Sequence, residues 1–448
     1  MTSYPTPEST ELLRPDFVLV DGALRSGWQI ELRGDRIAAV TPSEGPVNLP
    51  NRVVLPGFVN AHSHAFQRGL RGHVQWRHGA DDFWTWRQSM YSLANELDPE
   101  GVEAVSALAF LEMVLAGYTT VGEFHYLHHQ PGGAPYADPD ELARRVIAAA
   151  RRVGLRICLL RVAYARAGAG RPAEPHQLRF VDADPEACLA ATARLSGAGD
   201  PAVSAGIAPH SVRAVPGDWL RALSAWPGIV HAHVAEQPGE LSQCAAEHGC
   251  GPLEVFERSG LLTDRFTAVH LTFPGEDDPA RLRASGARVC ACPTTELDLG
   301  DGFLPMERLD GVGVCIGSDS HAIIDPFSEI RSLELHSRAV LGRRNVLSPL
   351  GEPDGLALRL LDAGARQGAR ALGLDAGEIR AGAFADLIAL RLDDPAFAGA
   401  RLLPALAMCG QPRQVSEVWV GGQRVVQEGV HPLRAPIVAA AERVLREL

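Results

Sequence analysis

The chain has 448 residues, of which 46% are hydrophobic and 21% are charged. This balance is typical of globular proteins and excludes a disordered or fibrous chain. The length exceeds what one ordinary core needs, so we expect one large domain and a smaller one. The formal charge of −12 argues against nucleic acids and anionic membranes as partners.

Two residue types limit the chemistry and the compartment. The sequence contains no lysine, which excludes a Walker P-loop, a lysine Schiff base and a carbamylated lysine between two metal ions. The eight cysteines show no Cys-x-x-Cys spacing and indicate reduced, buried thiols. Because the sequence shows neither a signal-peptide pattern nor an apolar run of spanning length, we expect a cytoplasmic protein.

Short apolar runs rich in β-branched residues recur along most of the chain, separated by helical patterns. Such runs predict a parallel sheet that is covered on both faces. Eight strand–helix units predict a (β/α)8 barrel, whose functional residues lie at the carboxyl ends of the strands. The predicted strands are 58–61, 120–124, 156–162, 203–207, 229–234, 267–271, 288–291 and 312–316.

Three of the intervening helices are predicted to begin in the same way. Asp98-Pro99, Asp138-Pro139 and Asp184-Pro185 each offer an aspartate as the cap and a proline in the first turn. These three positions therefore predict the starts of three helices on the outside of the barrel.

Both ends of the chain differ in character from the barrel region. Hairpin strands with glycine-containing turns are predicted at 17–21, 28–33 and 36–40, and again at 386–392 and 415–426. We interpret 1–55 and 376–448 as one composite β-sandwich domain, interrupted by the catalytic barrel at 56–375. Two separate β modules are the weaker alternative, because neither half has enough strands for a stable core.

Polar side chains follow four of the predicted strands. A histidine pair at i and i+2 points to one side of a strand, so two imidazoles can share one ion. A single His-x-His is a weak signal, but the carboxyl ends of barrel strands converge. The residues at these ends are His62 and His64 after strand one, His233 and Glu236 after strand five, His270 after strand six, and Asp319 after strand eight.

This pattern resembles the amidohydrolase superfamily, and no departure is seen at a metal position. Since the lysine that bridges two metals in many members is absent, the resemblance implies the mononuclear, deaminase-like subtype. It implies one divalent ion, zinc, held by His62, His64, His233 and Asp319. Such an ion lowers the pKa of a bound water from ~15.7 towards ~7.

The resemblance also implies the catalytic groups. Glu236 is expected to carry a proton from the water to the leaving nitrogen, and His270 to hydrogen-bond the water or the tetrahedral centre. Asp319 is a second candidate base. The sequence does not divide the proton transfer between Asp319 and Glu236.

Within the superfamily, the chain resembles the formimidoylglutamate deiminases of histidine degradation. The resemblance implies a small dicarboxylate amidine as the substrate, converted to formylglutamate with release of ammonia. It places Arg87 and Arg213 on the two carboxylates, with further hydrogen bonds from Gln67, Tyr126 and His210. The segments that carry it are 61–69, 83–87, 122–129, 208–213 and 317–321.

Other functions remain open at this point. The same mechanism could act on a purine or pyrimidine base, although a neutral heterocycle does not need paired arginines. A catalytically inactive binding protein of this fold is a further alternative, but it would be expected to have lost ligands. The oligomeric state is undetermined, with a homodimer among the options.

Several individual residues also have two interpretations. Arg87 could be a solvated loop residue, and Arg213 could form a surface salt bridge. The tryptophans at 76, 84 and 86 fit a pocket wall or packing at the barrel rim equally well, and 165–179 fits a lid or a disordered loop. We expect His231, Cys290 and Cys292 to be interior residues and His321 to orient the site from outside the ligand shell.

Overall fold

The computed structural model describes residues 10–77, 83–196 and 199–447. Eight parallel strands form one sheet in which each strand pairs with its neighbours along the chain, giving a nearly closed barrel. All eight predicted strands are present, and the (β/α)8 fold is confirmed. The barrel strands are Phe58–Ser63, Tyr118–His125, Arg156–Ala163, Val203–Pro209, Val230–Val234, Phe266–His270, Arg288–Ala291 and Gly313–Ile316.

The barrel closes between its eighth and first strands, at their carboxyl ends. The amides of Ser318 and Asp319 each donate to the carbonyl of His62 at 3.1 Å. In return, the amide of His64 donates to the carbonyl of Asp319 at 3.0 Å. Closure therefore uses the same backbone segments that carry three of the predicted metal ligands.

Helices cover the outside of the barrel and connect its strands. No helix among the described residues is long and apolar enough to cross a membrane. The α-helices are Phe83–Glu96, Pro99–Ala116, Glu141–Val153, Pro185–Leu195, Gly217–Leu223, Pro238–His248, Pro252–Arg258, Asp278–Ser285, Pro293–Leu299, Pro326–Leu341, Gly355–Gly364, Arg366–Ala371, Leu402–Cys409 and Arg434–Glu447. Short 3-10 helices lie at Ala65–Leu70, Pro175–Phe180, Met306–Arg308, Pro395–Phe397 and Pro412–Gln414.

Two of the three predicted helix starts are confirmed. Asp98 and Asp184 each accept a hydrogen bond of 2.7 Å from the amide three residues on, as N-caps do. The prediction at Asp138 is wrong, because the helix begins at Glu141 and Asp138 instead accepts from the amide of Asp140 at 2.9 Å.

Strands from both ends of the chain pair in one six-stranded sheet. Its order is Gln423–Val426, Val415–Val420, Leu387–Arg391, Leu49–Pro56, Pro15–Val20 and Ala23–Arg25. The pairing of Leu387–Arg391 with Leu49–Pro56 joins the two ends directly, so the alternative of two separate β modules is wrong.

A second, three-stranded sheet packs against the first. It consists of Thr10–Leu13, Trp28–Arg33 and Arg36–Pro42. Ile30 of this sheet shares a buried apolar cluster with Val54 and Trp419 of the larger one. The boundaries at 55 and 376 stay a prediction, and residues 1–9 and 448 of the proposed composite domain lie outside the described residues.

The stretch 165–179 is folded, so the disordered alternative is wrong. Arg166–Gly168 and Arg171–Pro172 form a small hairpin, and the 3-10 helix Pro175–Phe180 follows it. The buried guanidinium of Arg179 donates to the carbonyl of His129 at 2.8 Å and to the carbonyl of Ala94. This anchoring holds the end of the stretch against the barrel.

Candidate metal and substrate site

The four predicted metal ligands meet at the carboxyl end of the barrel, and all four are buried. The Nε2 atoms of His62 and His64 lie 3.3 and 3.2 Å from Asp319 Oδ1. His233 Nε2 lies 3.2 Å from His62 Nε2. Side chains from three strands therefore converge on one point.

A fifth side chain, His270, lies at the same point. Its Nε2 is 3.9 Å from Asp319 Oδ2. The four side chains whose ligand atoms all lie within 4.8 Å of one another are His62, His233, His270 and Asp319. His64 contacts this group through Asp319. Its role as a metal ligand stays a prediction, and the structure adds His270 as a further candidate ligand.

The donor set of this cluster fits a metal ion. The Nδ1 atoms of His64 and His233 lie 2.9 and 3.0 Å from backbone carbonyls, which only accept, so each Nε2 presents a lone pair to the cluster. Burial lowers the pKa of His62, His64 and His233, which favours neutral imidazoles. His270 Nε2 is buried without a hydrogen-bond partner. A divalent cation satisfies these facing lone pairs and the Asp319 carboxylate together.

Backbone strain is concentrated at the same strand ends. Ala235, His270 and Asp319 have φ angles of 51°, 69° and 42°, in the left-handed region that non-glycine residues seldom adopt. Strained positions of this kind persist where the surrounding structure enforces them, and they are typical of functional sites. The tight turn at Asp319 coincides with the closure of the barrel at His62.

Two carboxylates flank the ring of His270. Its Nε2 lies 3.7 Å from Glu236 Oε1, and its Nδ1 lies 3.3 Å from Glu296 Oε1. Burial alone lowers the pKa of His270, but Glu236 and the hydrogen bond to Glu296 raise it, to about 10. Burial raises the pKa of Glu236. Glu236 and His270 are therefore close enough to influence each other's protonation beside the metal cluster.

Glu296 was not predicted from the sequence. It lies on the helix Pro293–Leu299 after the seventh strand, and its Oε1 also accepts from the amide of Cys292 at 2.8 Å. The sequence shows only that a glutamate follows the seventh strand by a few residues. This position does not predict the contact with His270.

All the predicted substrate contacts line one cavity that opens beside the metal cluster. The cavity also includes His64, His233, Glu236 and Asp319. Aromatic rings of Trp86, Tyr91, Tyr164 and Phe180 form much of its wall. The predicted contacts in this cavity are Gln67, Arg87, Tyr126, His210 and Arg213.

The two arginines of the cavity lie close together. The guanidinium of Arg87 stacks 4.9 Å from the Trp84 ring and 5.2 Å from the Tyr91 ring, and that of Arg213 lies 5.9 Å from Trp84. Burial lowers the pKa of Arg87, and the nearby charge of Arg213 lowers it further. Arg87 Nε is buried without a hydrogen-bond partner. The alternative of a solvated loop residue is wrong for Arg87, which lies on the helix Phe83–Glu96.

Arg213 lines the cavity, and no ion pair joins it to a carboxylate among the described residues, which argues against a surface salt bridge. Burial raises the pKa of Glu240, and the nearby charge of Arg213 opposes that rise. The cavity therefore contains two neighbouring cations, one with an unused donor. Such an arrangement is suited to an anionic ligand.

The remaining polar contacts are fixed before any ligand binds. Gln67 Nε2 donates to the hydroxyl of Tyr126 at 2.7 Å, which leaves Gln67 Oε1 buried without a partner. Burial lowers the pKa of His210 well below its usual value, so its imidazole is neutral. Gln67 therefore offers an acceptor to a ligand N–H.

The tryptophans divide between the two interpretations given by the sequence. Trp86 lines the cavity, and Trp84 stacks on Arg87 at its edge. Trp76 is 61% exposed and lies outside the cavity. The wall is therefore built by part of the predicted cluster only.

The predictions for His231, Cys290 and Cys292 as interior residues are confirmed. His231 Nε2 lies 2.9 Å from the carbonyl of Ala371, and Cys290 and Cys292 are fully buried. The ring nitrogens of His321 lie 3.1 Å from Ser63 Oγ and 3.0 Å from Ser318 Oγ. Its expected role in orienting the site stays a prediction, and these two contacts are the ones through which it would act.

Fold and site together define a barrel with a His/Asp cluster suited to a metal ion, and the comparison with known families agrees. The profile of the Amidohydrolase family matches residues 53–425, so the chain belongs to that family and is a hydrolase that acts on carbon–nitrogen bonds. The chain is 37% identical over 443 residues, 95% of this chain and 97% of the relative, to formimidoylglutamate deiminase of Pseudomonas aeruginosa.

Other relatives have other substrates in their names. The 8-oxoguanine deaminase of Pseudomonas aeruginosa is 29% identical over 435 residues, 94% of this chain and 92% of the relative. Among solved structures, an amidohydrolase from Brucella melitensis superposes with a TM-score of 0.89 at 34% identity, covering 97% of this chain and 99% of that one. Relatives in this family therefore differ in the substrates that their names give.

We expect one divalent ion per chain at this cluster, because five buried donors surround one point. Elemental analysis of the purified protein should find one equivalent of metal, and exhaustive chelation should abolish activity until metal is restored. Two equivalents at full activity, or full activity after chelation, would contradict a mononuclear site.

Proposed function

We propose that the protein hydrolyses N-formimidoyl-L-glutamate to N-formyl-L-glutamate and ammonia, with one zinc ion, as a cytoplasmic step of histidine degradation. The observation that carries this proposal is the position of Arg87 and Arg213. They line the same cavity as Glu236 and Asp319. The relative at 37% identity supports the same substrate.

The charges of the substrate match the charged side chains that line the cavity. In formimidoylglutamate the amidine is attached to the α-carbon, which also carries one carboxylate, and the second carboxylate ends the side chain. Arginine binds carboxylates through two parallel hydrogen bonds, and Arg87 Nε has no other partner. Binding both carboxylates at the arginines directs the amidine carbon towards His233, Glu236 and Asp319.

The reaction adds water to the amidine carbon and breaks its bond to the terminal nitrogen. When bound, a divalent ion at the cluster lowers the pKa of water towards ~7 and so provides a nucleophile at neutral pH. Glu236 carries the two protons of the water in turn to the terminal nitrogen, one as the oxygen adds to the carbon and one from the added hydroxyl as the carbon–nitrogen bond breaks, so that the nitrogen leaves as ammonia. His270, 3.7 Å from Glu236, faces the same space and can hydrogen-bond the oxygen that is added.

A nucleobase deaminase is the second candidate, and one observation favours it. The aromatic wall that includes Trp86 and Phe180 could stack on a flat heterocycle. A neutral base would, however, offer no carboxylate to Arg213 or to Arg87, whose Nε is buried without a hydrogen-bond partner. A non-catalytic binding protein is disfavoured because no predicted ligand is missing.

The direct test is ammonia release from a panel of substrates by the zinc-loaded enzyme. The panel contains formimidoylglutamate, N-formimidoyl-L-glutamine, 8-oxoguanine, guanine and cytosine. We expect kcat/KM to be highest for formimidoylglutamate, with formylglutamate identified as the product by NMR. The Glu236→Gln protein, purified in parallel, controls for contaminating deaminases. A higher kcat/KM for a nucleobase would contradict the proposal.

A further inference from the structure

A chain of buried hydrogen bonds lies directly behind the metal cluster. It joins five side chains from three barrel elements, and none of them faces the substrate cavity. All five are at most 2% exposed: Asn60, Ser63, Glu123, Ser318 and His321. Neither the family assignment nor the proposed reaction gives these residues a role.

One half of this hydrogen-bond chain joins the first strand to the turn after the eighth strand, where the barrel closes. Asn60 Nδ2 donates to Ser318 Oγ at 2.6 Å, and the amide of Ser318 donates back to Asn60 Oδ1 at 3.0 Å. His321 Nδ1 lies 3.0 Å from the same Ser318 hydroxyl. The first strand and the turn after the eighth are therefore tied by side chains as well as by backbone.

The other half reaches the second strand. His321 Nε2 lies 3.1 Å from Ser63 Oγ, and Ser63 Oγ donates to Glu123 Oε2 at 2.5 Å. The second carboxyl oxygen of Glu123 accepts from the amide of Ala65 at 2.8 Å. Glu123 thus holds a hydroxyl and an amide of the same short segment.

The orientation of the Asn60 amide determines which groups donate and which accept along the hydrogen-bond chain. Because Ser318 Oγ already accepts from Asn60, its own hydrogen is available for His321 Nδ1. His321 then donates from Nε2 to Ser63 Oγ, and Ser63 donates to Glu123. Every donor finds one acceptor along this path, and the path ends at the Glu123 carboxyl.

Residues of the hydrogen-bond chain lie next to the expected metal ligands along the sequence. Ser63 lies between His62 and His64, and Ala65 follows His64. Glu123 therefore holds both residues that flank His64. At the other end, Ser318 immediately precedes Asp319.

We infer that Glu123 is a positioning residue for the metal ion, acting through Ser63 and His321 to hold the His62–His64 segment against the Asp319 turn. Ligand orientation by hydrogen-bonded partners outside the ligand shell is worth ~10–100-fold in metal affinity in other proteins. The inference depends on the metal cluster and not on the identity of the substrate.

The test compares two isosteric changes at buried carboxylates. Glu329 is a matched control, because it is fully buried and also accepts from one hydroxyl and one amide, both of Thr294, at 2.5 and 3.0 Å. Apoproteins of the parent, Glu123→Gln and Glu329→Gln are titrated with zinc in competition with a chelator of known affinity. Thermal unfolding of each apoprotein measures its stability without metal.

We expect Glu123→Gln to bind zinc ~10–100-fold more weakly than the parent. Glu329→Gln should bind zinc like the parent, with a similar loss of apoprotein stability. Ser63→Ala should weaken zinc binding by a similar factor, because it interrupts the same hydrogen-bond path. The double variant should be little weaker than either single one, since members of one network are not additive.

Three results would overturn the inference. The first is a zinc affinity of Glu123→Gln within threefold of the parent, and the second is an equal loss in Glu329→Gln. The third is a parent enzyme that binds no zinc, which would contradict the metal cluster as well. If Glu123→Gln does not fold, Ser63→Ala decides the question alone, because its unchanged affinity would equally contradict the role of the chain.

Discussion

Replacing Glu236 by glutamine is expected to lower kcat by ~10²–10⁴-fold, the range typical of general acid–base groups. The amide is close to the carboxylate in shape but cannot take a proton from water or return it to the leaving nitrogen. Because Glu236 is not among the expected ligands, the variant should keep its divalent ion. Metal content and single-turnover rates on formimidoylglutamate measure the two effects separately.

The Glu329→Gln protein is a suitable control, because it makes the same substitution at a buried carboxylate outside the cavity. It should retain the parent kcat. A Glu236→Gln variant with near-parental kcat would move proton transfer to Asp319 or His270. Loss of metal from this variant would instead indicate that Glu236 helps to hold the ion.

The strands and the main site residues could be predicted because both depend on short local patterns. Buried parallel strands are continuous apolar runs, and the polar residues that follow them share one end of a barrel. His62, His233 and Asp319 are far apart in sequence, yet each directly ends or follows such a run. Their convergence in the structure thus follows from topology alone.

Contacts that depend on side-chain direction could not be predicted in this way. The sequence places His270 after a strand, but not its position relative to His64 at the cluster, which depends on a left-handed turn at residue 270. Likewise, the sequence suggests that His321 orients the site, but not that it does so through Ser63 and Ser318. Tertiary packing decides these positions.

Helix starts show the same limit at a smaller scale. Asp98 and Asp138 have the same local sequence pattern, with proline next and an acidic residue after it. Only Asp98 caps its helix; the turn at Asp138 uses the carboxylate within the loop instead. The same local motif therefore permits two hydrogen-bonded solutions.

The arginines provide the decisive test of the substrate. Replacing either Arg87 or Arg213 by methionine keeps much of the side-chain volume and removes the charge. Loss of one partner from a desolvated charge pair costs roughly 2–5 kcal/mol, much of it from the carboxylate left unpaired. At ~1.36 kcal/mol per decade, kcat/KM for formimidoylglutamate should fall by about 30- to 5000-fold.

Arg194→Met is a matched control. Arg194 lies on the helix Pro185–Leu195, outside the cavity, and pairs with Asp140. Its replacement should therefore leave kcat/KM unchanged. Metal content and thermal unfolding of the cavity variants should match the parent. These controls separate loss of a carboxylate contact from general damage to the pocket.

A substrate with one carboxylate then assigns the two contacts. N-formimidoyl-L-glutamine replaces the side-chain carboxylate by a neutral amide of the same shape. Replacing the arginine that binds the side-chain carboxylate should lower kcat/KM for this compound much less than for formimidoylglutamate. Replacing the other arginine should lower kcat/KM for both compounds by a similar factor. If both variants hydrolyse formimidoylglutamate as well as the parent does, the arginines do not bind its carboxylates. The metal-dependent chemistry would survive that result, and the substrate would have to be sought among other amidines or the nucleobases.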